Sequence, residues 1–181
     1  MTTMERLSSK VVYEGKIATI RLEKFRYGDG GTEEREIVGH PGAVAIVAHD
    51  GETFYLVRQP REPVGEPDLL ELPAGKRDID GESRLDCARR ELAEEIGRSA
   101  TEWRELKRFY PSPGLVEEEV TVFLATGLSE VEAEADEDER LEVVPVPLSA
   151  LDGAIAECRD AKSLIGLMLL REELERDRPA A

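Results

Sequence analysis

Short apolar runs broken by turn residues fill the first two thirds of the chain. Val11-Val12-Tyr13 and residues 17–22 flank Gly15 and predict two strands, and residues 32–38 predict a third beyond the turn at Gly28-Asp29-Gly30-Gly31. These predict an antiparallel β-meander, too small to be stable alone. Residues 43–48 are continuously apolar, the pattern of a buried strand. Residues 53–57 are expected to pair with them across the hairpin signal His49-Asp50-Gly51-Glu52. Residues 59–68 are rich in proline and read as a loop, and residues 69–72 as a short strand running into Pro73-Ala74-Gly75.

Between residues 83 and 96 the period changes to that of a helix. Leu85, Ala88, Leu92 and Ile96 share one face; Glu91, Glu94 and Glu95 share the adjacent one. Gly97 is a natural residue to follow the helix. Residues 102–110 and 119–125 read as strands flanking Pro111-Ser112-Pro113-Gly114. An acidic run over 130–140 leads to a strand-like stretch at 141–146. Residues 148–158 and 160–174 read as helical, with an apolar stripe at Leu164, Leu167, Met168 and Leu170. The succession of strands, one central helix and a helical end predicts a mixed α/β (α+β) class. There is no internal repeat.

With 181 residues, 40% of them apolar, the chain fits one domain or one domain with a small accessory part. No apolar run approaches the ~20 residues of a membrane span, and residues 1–10 have no signal-peptide core. Cys87 and Cys158 have neither metal-type spacing nor a disulfide framework, so a cytoplasmic location is expected. A net charge of −16 argues against a nucleic-acid backbone binder. It also means that an anionic substrate must be drawn in by local arginines and metal ions. The preference for arginine over lysine fits genome composition or salt adaptation equally well.

Glu91, Glu94 and Glu95 lie within five residues. Crowded carboxylates repel one another unless a cation sits among them. Oxygen-rich sites of this kind suit Mg2+ or Mn2+, ions that usually work on phosphate substrates. The bland alternative is an acidic, solvated helix face. Asp78-x-Asp80-Gly81 suggests half of an EF-hand loop, but the sixth and twelfth positions would be Ser83 and Arg89 instead of Gly and Glu.

Gly75, Glu82 and Arg90-Glu91-Leu92-Ala93-Glu94-Glu95-Ile96-Gly97 closely resemble the Nudix box, Gly-x5-Glu-x7-Arg-Glu-aliphatic-x-Glu-Glu-x-Gly-aliphatic. Seven residues separate Glu82 from Arg90, as in the box. Six instead of five separate Gly75 from Glu82, and Arg98 takes the closing aliphatic position. Further stretches resemble the ADP-ribose pyrophosphatase branch of that family: His40-Pro41-Gly42-Ala43-Val44, Arg58-Gln59-x-Arg61, Glu71-Leu72-Pro73-Ala74-Gly75 and Ser112-Pro113-Gly114. So do Asp136-Glu137-Asp138-Glu139 before Leu141-Glu142-Val143, and Asp160-Ala161-Lys162-Ser163-Leu164.

The resemblance implies a Nudix α/β/α sandwich over residues 41–181, preceded by the β-meander of residues 1–40 as a dimerisation part, in a homodimer. It implies Mg2+-dependent hydrolysis (Mn2+ being possible) of a small nucleoside diphosphate sugar, ADP-ribose, to AMP and ribose 5-phosphate, with no nucleic-acid or membrane partner. By the same resemblance, Glu91 and Glu95 are the principal metal ligands, Glu94 is shared or supporting, and the Ala74 carbonyl adds another. Arg90 orients the glutamates, and Glu82 supports the site. The general base comes from the loop after Ser-Pro-Gly, where the usual spacing falls on Glu118, with Glu117 as runner-up. The alternative for that loop is a set of solubility charges. Arg61 contacts the diphosphate; its alternative is a surface ion pair. Arg35 reaches the nucleotide, Glu71 the base or ribose, and Gly75 lies against the substrate. Trp103 and Tyr110 are expected in the core, and His40 and His49 at turns. The acidic run at 130–139 reads as solvated, with a lesser metal or sugar contact open. Alternatives are another nucleoside diphosphate sugar or dinucleotide as substrate, and a sensor that binds ADP-ribose without cutting it.

Overall fold

The computed structural model describes residues 3–16, 18–132 and 140–176. It divides into two units, Met1–Gly42 with Tyr110–Glu119, and Ala43–Phe109 with Val120–Ala181.

In the first unit β1 (Met4–Glu14), β2 (Thr19–Tyr27) and β3 (Thr32–Gly39) form an antiparallel sheet in that order. The three-strand meander is as the pattern predicts, but β1 starts earlier, through polar Arg6, Ser8 and Ser9, with bulges between Arg6 and Ser8 and between Val11 and Tyr13. Gly30, at φ +86°, closes the turn between β2 and β3. The segment Tyr110–Glu119 belongs to this unit, a long-range assignment that the division at residue 40 does not foresee. It runs beside the end of β3: Val38 N–H donates to Leu115 O, and Glu117 N–H donates to Val38 O, both at 2.9 Å.

The second unit is built on a four-stranded sheet ordered β7 (Ala74–Lys76), β4 (Ala43–Ala48), β9 (Val120–Glu130), β8 (Arg98–Phe109). β4 is apolar at every position because both of its faces are covered. Val44, Ile46 and Ala48 pack with Cys87, Ala88 and Leu92 of α1 (Arg84–Ile96). Ala43, Ala45 and Val47 pack with Leu167 and Leu170 of α3 (Ala161–Arg176). Alternation across a strand puts these sets on opposite faces, giving the α/β/α sandwich. A second sheet, β10 (Glu142–Pro147), β5 (Thr53–Arg61), β6 (Glu66–Glu71), and the short helix α2 (Leu151–Glu157) complete the unit.

Several local expectations are corrected. Residues 43–48 and 53–57 do not form a hairpin; β4 pairs with β9 and β7, while β5 enters the other sheet, and the turn between them is closed by a His49–Phe54 bridge and by Asp50 N–H donating to Thr53 O at 3.0 Å. The stretch 59–68 is not a loop. β5 continues through Pro60, where the pairing shifts register between Gln59 and Arg61, then makes one 3-10 turn at Glu62–Val64 before β6. A bulge is where a strand can accept a proline. Met168 and Tyr110 are exposed, not buried. Trp103 is half-buried and meets the Phe123 ring edge-on, with centroids 6.3 Å apart. His40 and His49 are turn residues, their Nδ1 atoms accepting from the amides of Gly42 and Gly51. Most of the acidic run, 133–139, lies outside the described residues. No helix among the described residues is long and apolar enough to cross a membrane.

Candidate active site

Helix α1 begins where its sequence says it should. Ser83 caps it, its Oγ accepting from Asp86 N–H at 3.1 Å, and Gly97, at φ +62°, ends it by donating its amide to Ala93 O at 3.0 Å. Between these caps the apolar face is fixed against β4, so the carboxylate face is fixed too. Glu91 and Glu95 are buried at 8% and 6% exposure, and Glu94 is half-buried.

One guanidinium organises this face. Arg90 contacts Glu82 twice, at 2.9 and 3.2 Å, and its Nη1 donates to Glu91 Oε1 and Glu94 Oε2, both at 2.8 Å. Such charge-assisted contacts fix geometry as well as adding energy. The Glu82 contact, followed by the charge of Glu91, pushes the Arg90 pKa further up, and Arg90 holds the Glu82 carboxyl below its usual range. Arg90 thus touches Glu82, Glu91 and Glu94, the three acids that the resemblance groups with it.

The loop before the helix supplies the other wall. Gly75 lies opposite Val44 in the β7–β4 pairing, and a Cβ built on it would fall within the Glu91 carboxylate. Only glycine leaves that space. Ala74 N–H donates to Glu95 Oε2 at 3.0 Å, so the main chain holds this carboxylate. Cys87 tucks beneath, its thiol directed to Lys76 O, and burial, then the charge of Glu91, pushes it up to about 12. It is therefore a structural thiol.

Among the described residues no group of three or more His, Cys, Asp or Glu side chains is arranged to hold a metal ion. Glu91, Glu94 and Glu95 share one face without converging on a point, because Arg90 stands between two of them and the Ala74 amide holds the third. The donor set nevertheless suits a hard divalent cation. It consists of carboxylate oxygens beside a glycine cradle, and a cation, the guanidinium, is already bound among them.

A second cluster lies where β5, β6 and the start of α3 meet. Glu71, only 1% exposed, receives Arg61 at 2.6 and 2.8 Å and Lys162 Nζ at 2.5 Å. Burial alone would raise the Glu71 pKa; the Arg61 hydrogen bond and the Lys162 charge outweigh it and leave the carboxyl below its usual range. Lys162 also reaches Asp160 at 2.9 Å, and Asp160 caps α3 by accepting from Ser163 N–H at 3.0 Å. Arg61 is thus in an ion pair, as the alternative for it has it, but its partner is a buried acid instead of a surface one. Sequence reasoning noted the Asp160-to-Leu164 motif but assigned its residues no role. An Asp three residues ahead of a buried Ser at a helix start is the signal that could have found them.

Three further candidates lie in the first unit. Arg35 Nη1 donates to Glu33 and to the Glu34 carbonyl, at 3.2 and 3.0 Å, on exposed β3. Glu117 is taken by Arg21 at 2.5 Å. Glu118 lies 3.7 Å from His40 Nδ1, an atom already accepting from Gly42. The two neighbouring acids are therefore inequivalent, and among the described residues Glu118 is the one with no arginine on it.

A sandwich that presents buried, cation-bridged carboxylates on a capped helix, behind a glycine loop, is the framework of a hydrolase that uses a divalent metal cation. Comparison with known proteins gives that class a name. Residues 39–163 match the model of the NUDIX domain, and the chain belongs to the Nudix family. It is 41% identical over 145 residues to the ADP-ribose pyrophosphatase of Bacillus subtilis, covering 78% of this chain and 77% of that one. It is 44% identical over 128 residues to the ADP-ribose pyrophosphatase of Mycobacterium tuberculosis, covering 70% of this chain and 61% of that one. A crystal structure titled as an ADP compounds hydrolase superimposes with a TM-score of 0.84 at 26% identity, covering 96% of this chain and 95% of the other.

Proposed function

We propose that this Nudix hydrolase cleaves the diphosphate bond of ADP-ribose to give AMP and ribose 5-phosphate. The observation that carries the reading is the 41% identity to an ADP-ribose pyrophosphatase over three quarters of that protein's length. Glu91, Glu94, Glu95 and the Ala74 carbonyl would hold the cation, which would be Mg2+, with Mn2+ able to replace it. Bound there, it neutralises diphosphate charge and lowers the pKa of a water.

The chain's own residues do the rest. Arg90 holds Glu91 and Glu94 aimed along one face. Arg61 offers a planar fork suited to a pair of phosphate oxygens, and Glu71 behind it fixes its orientation. Glu118 takes the proton of the attacking water, with Glu117 held away from that task by Arg21. Arg35 contributes to nucleotide binding. Residues 1–40 serve dimerisation, and the enzyme works in the cytoplasm.

The test is a substrate panel at fixed Mg2+ with phosphate release read through a coupled phosphatase. It contains ADP-ribose, a GDP-sugar, a UDP-sugar, a flavin or nicotinamide dinucleotide and a diadenosine polyphosphate, each with and without EDTA. ADP-ribose should give the highest kcat/KM, and EDTA should abolish turnover. A higher kcat/KM on another member reassigns the substrate. No turnover on any of them with Mg2+ or Mn2+ overturns the enzyme reading in favour of a sensor.

A further inference from the structure

The main chain joining β6 to β7 is held at three successive residues. Leu72 N–H donates to Ser163 Oγ at 2.7 Å. Ile46 N–H donates to Pro73 O at 2.8 Å. Ala74 N–H donates to Glu95 Oε2 at 3.0 Å. The first anchor belongs to α3 and the last to the carboxylate helix, so the two helices on opposite faces of the sheet are joined through three residues of backbone. Pro73 stiffens that link by fixing φ.

The α3 end of the link is built with unusual definition. Ser163 is 0% exposed. Its hydroxyl donates to Asp160 Oδ2 at 2.5 Å, and its amide donates to the same oxygen at 3.0 Å. A hydroxyl has one proton, so with that proton on Asp160 a lone pair is left facing the Leu72 amide. Gly166, one turn later, lets α3 approach Leu72 so closely that a Cβ there would overlap the leucine side chain. Lys162 joins the same Asp160 to Glu71, the residue before Leu72. The helix start therefore grips this strand through its backbone and through both flanking side chains.

We propose that Ser163, oriented by Asp160, is a positioning residue for the Glu95 carboxylate, acting through the Leu72–Ala74 backbone. The inference rests on the reading that Glu95 holds the metal. Support from outside the coordination sphere commonly changes metal affinity or activity by about 10- to 100-fold.

The experiment is Mn2+ binding to the substrate-free protein, followed by the EPR signal of free Mn2+. It compares wild type, Ser163→Ala, Asp160→Asn and, as a control for simple stability loss in the same helix, Leu170→Ala. Circular dichroism and a melting curve accompany each variant. Ser163→Ala should weaken Mn2+ binding by about tenfold or more. Asp160→Asn should weaken it by less, and Leu170→Ala should melt earlier yet bind as wild type. In turnover, Ser163→Ala should lower kcat while KM stays within about twofold.

Wild-type Mn2+ affinity in both Ser163→Ala and Asp160→Asn overturns the proposal. So does an equal loss in Leu170→Ala, which would make the effect one of stability alone. If Ser163→Ala does not fold, Asp160→Asn, which retains the Ser163 hydroxyl, decides. A wild-type protein that binds no Mn2+ overturns the metal assignment itself, a result distinct from any difference among the variants.

Discussion

Glu71 and Arg61 meet through two parallel contacts of 2.6 and 2.8 Å, with the carboxylate 1% exposed and the guanidinium 39% exposed. On the proposed function this pair couples stability to activity, because an acid that water does not reach aims the arginine proposed to bind the diphosphate. Glu71→Gln keeps the volume but leaves Arg61 and Lys162 facing a neutral amide. The expected cost is about 2 kcal/mol in urea denaturation, below the range for a fully buried pair because Arg61 is partly solvated. The pH dependence follows from the depressed carboxyl. Its stabilising contribution is fully present above the unfolded value of about 4.3 and is lost as pH falls through the lower folded value. Wild type should therefore lose stability on acidification below about pH 4.3 more steeply than Glu71→Gln. Parallel curves for the two proteins would refute this.

Glu95→Gln tests a buried carboxylate of the α1 helix. The amide oxygen can still accept from Ala74 N–H, so the contact survives while the charge is lost. Turnover should fall by roughly two orders of magnitude or more, at least the upper range for a supporting residue, with an unchanged circular dichroism spectrum. Near-normal turnover would remove Glu95 from the metal site.

How much of this was legible in the sequence depends on distance along the chain. Helix α1 was readable almost to the residue, because Ser83, the apolar set Leu85 to Ile96, and Gly97 act within a few turns of one another. The Arg90 contacts were legible through the resemblance to the Nudix box, which gives this arginine its orienting role. The partner of β4 was not. His49-Asp50-Gly51-Glu52 turns the chain, but six apolar residues in a row can be satisfied on either side, and what settles them is β9, more than seventy residues away. The prolines at 60, 63 and 67 made a paired region look like loop, since a bulge is invisible without its partner strand. The Lys162–Glu71 contact spans 91 residues and could only have been noticed as a motif without a purpose.

Gly75→Ala is a steric test of the carboxylate site. The added methyl group has no room while Glu91 keeps its place, and a carboxylate with only a few torsions is the part that yields. Mn2+ affinity should drop by about tenfold or more, with a smaller effect on the melting temperature because Gly75 is half-buried in a strand of three residues. An alanine variant that binds Mn2+ as wild type would mean that Glu91 can move aside without consequence, and so is not a principal ligand.

Glu117 and Glu118 are adjacent in the chain and are distinguished by one ion pair. Arg21 holds Glu117 at 2.5 Å, whereas Glu118 has only the distant His40 nitrogen at 3.7 Å. A base must be free to approach the attacking water, and the Arg21 contact ties the Glu117 carboxylate in place. Glu118→Gln should therefore lower kcat by about a hundredfold or more with little change in KM. Glu117→Gln should leave kcat close to wild type and change stability by no more than about 1 kcal/mol, the worth of an exposed pair. Single-turnover rates on ADP-ribose, measured with saturating Mg2+, separate the two. A large loss in Glu117→Gln together with a mild one in Glu118→Gln would shift the base by one residue and give the Arg21 contact a different purpose, that of releasing the catalytic acid once substrate is bound.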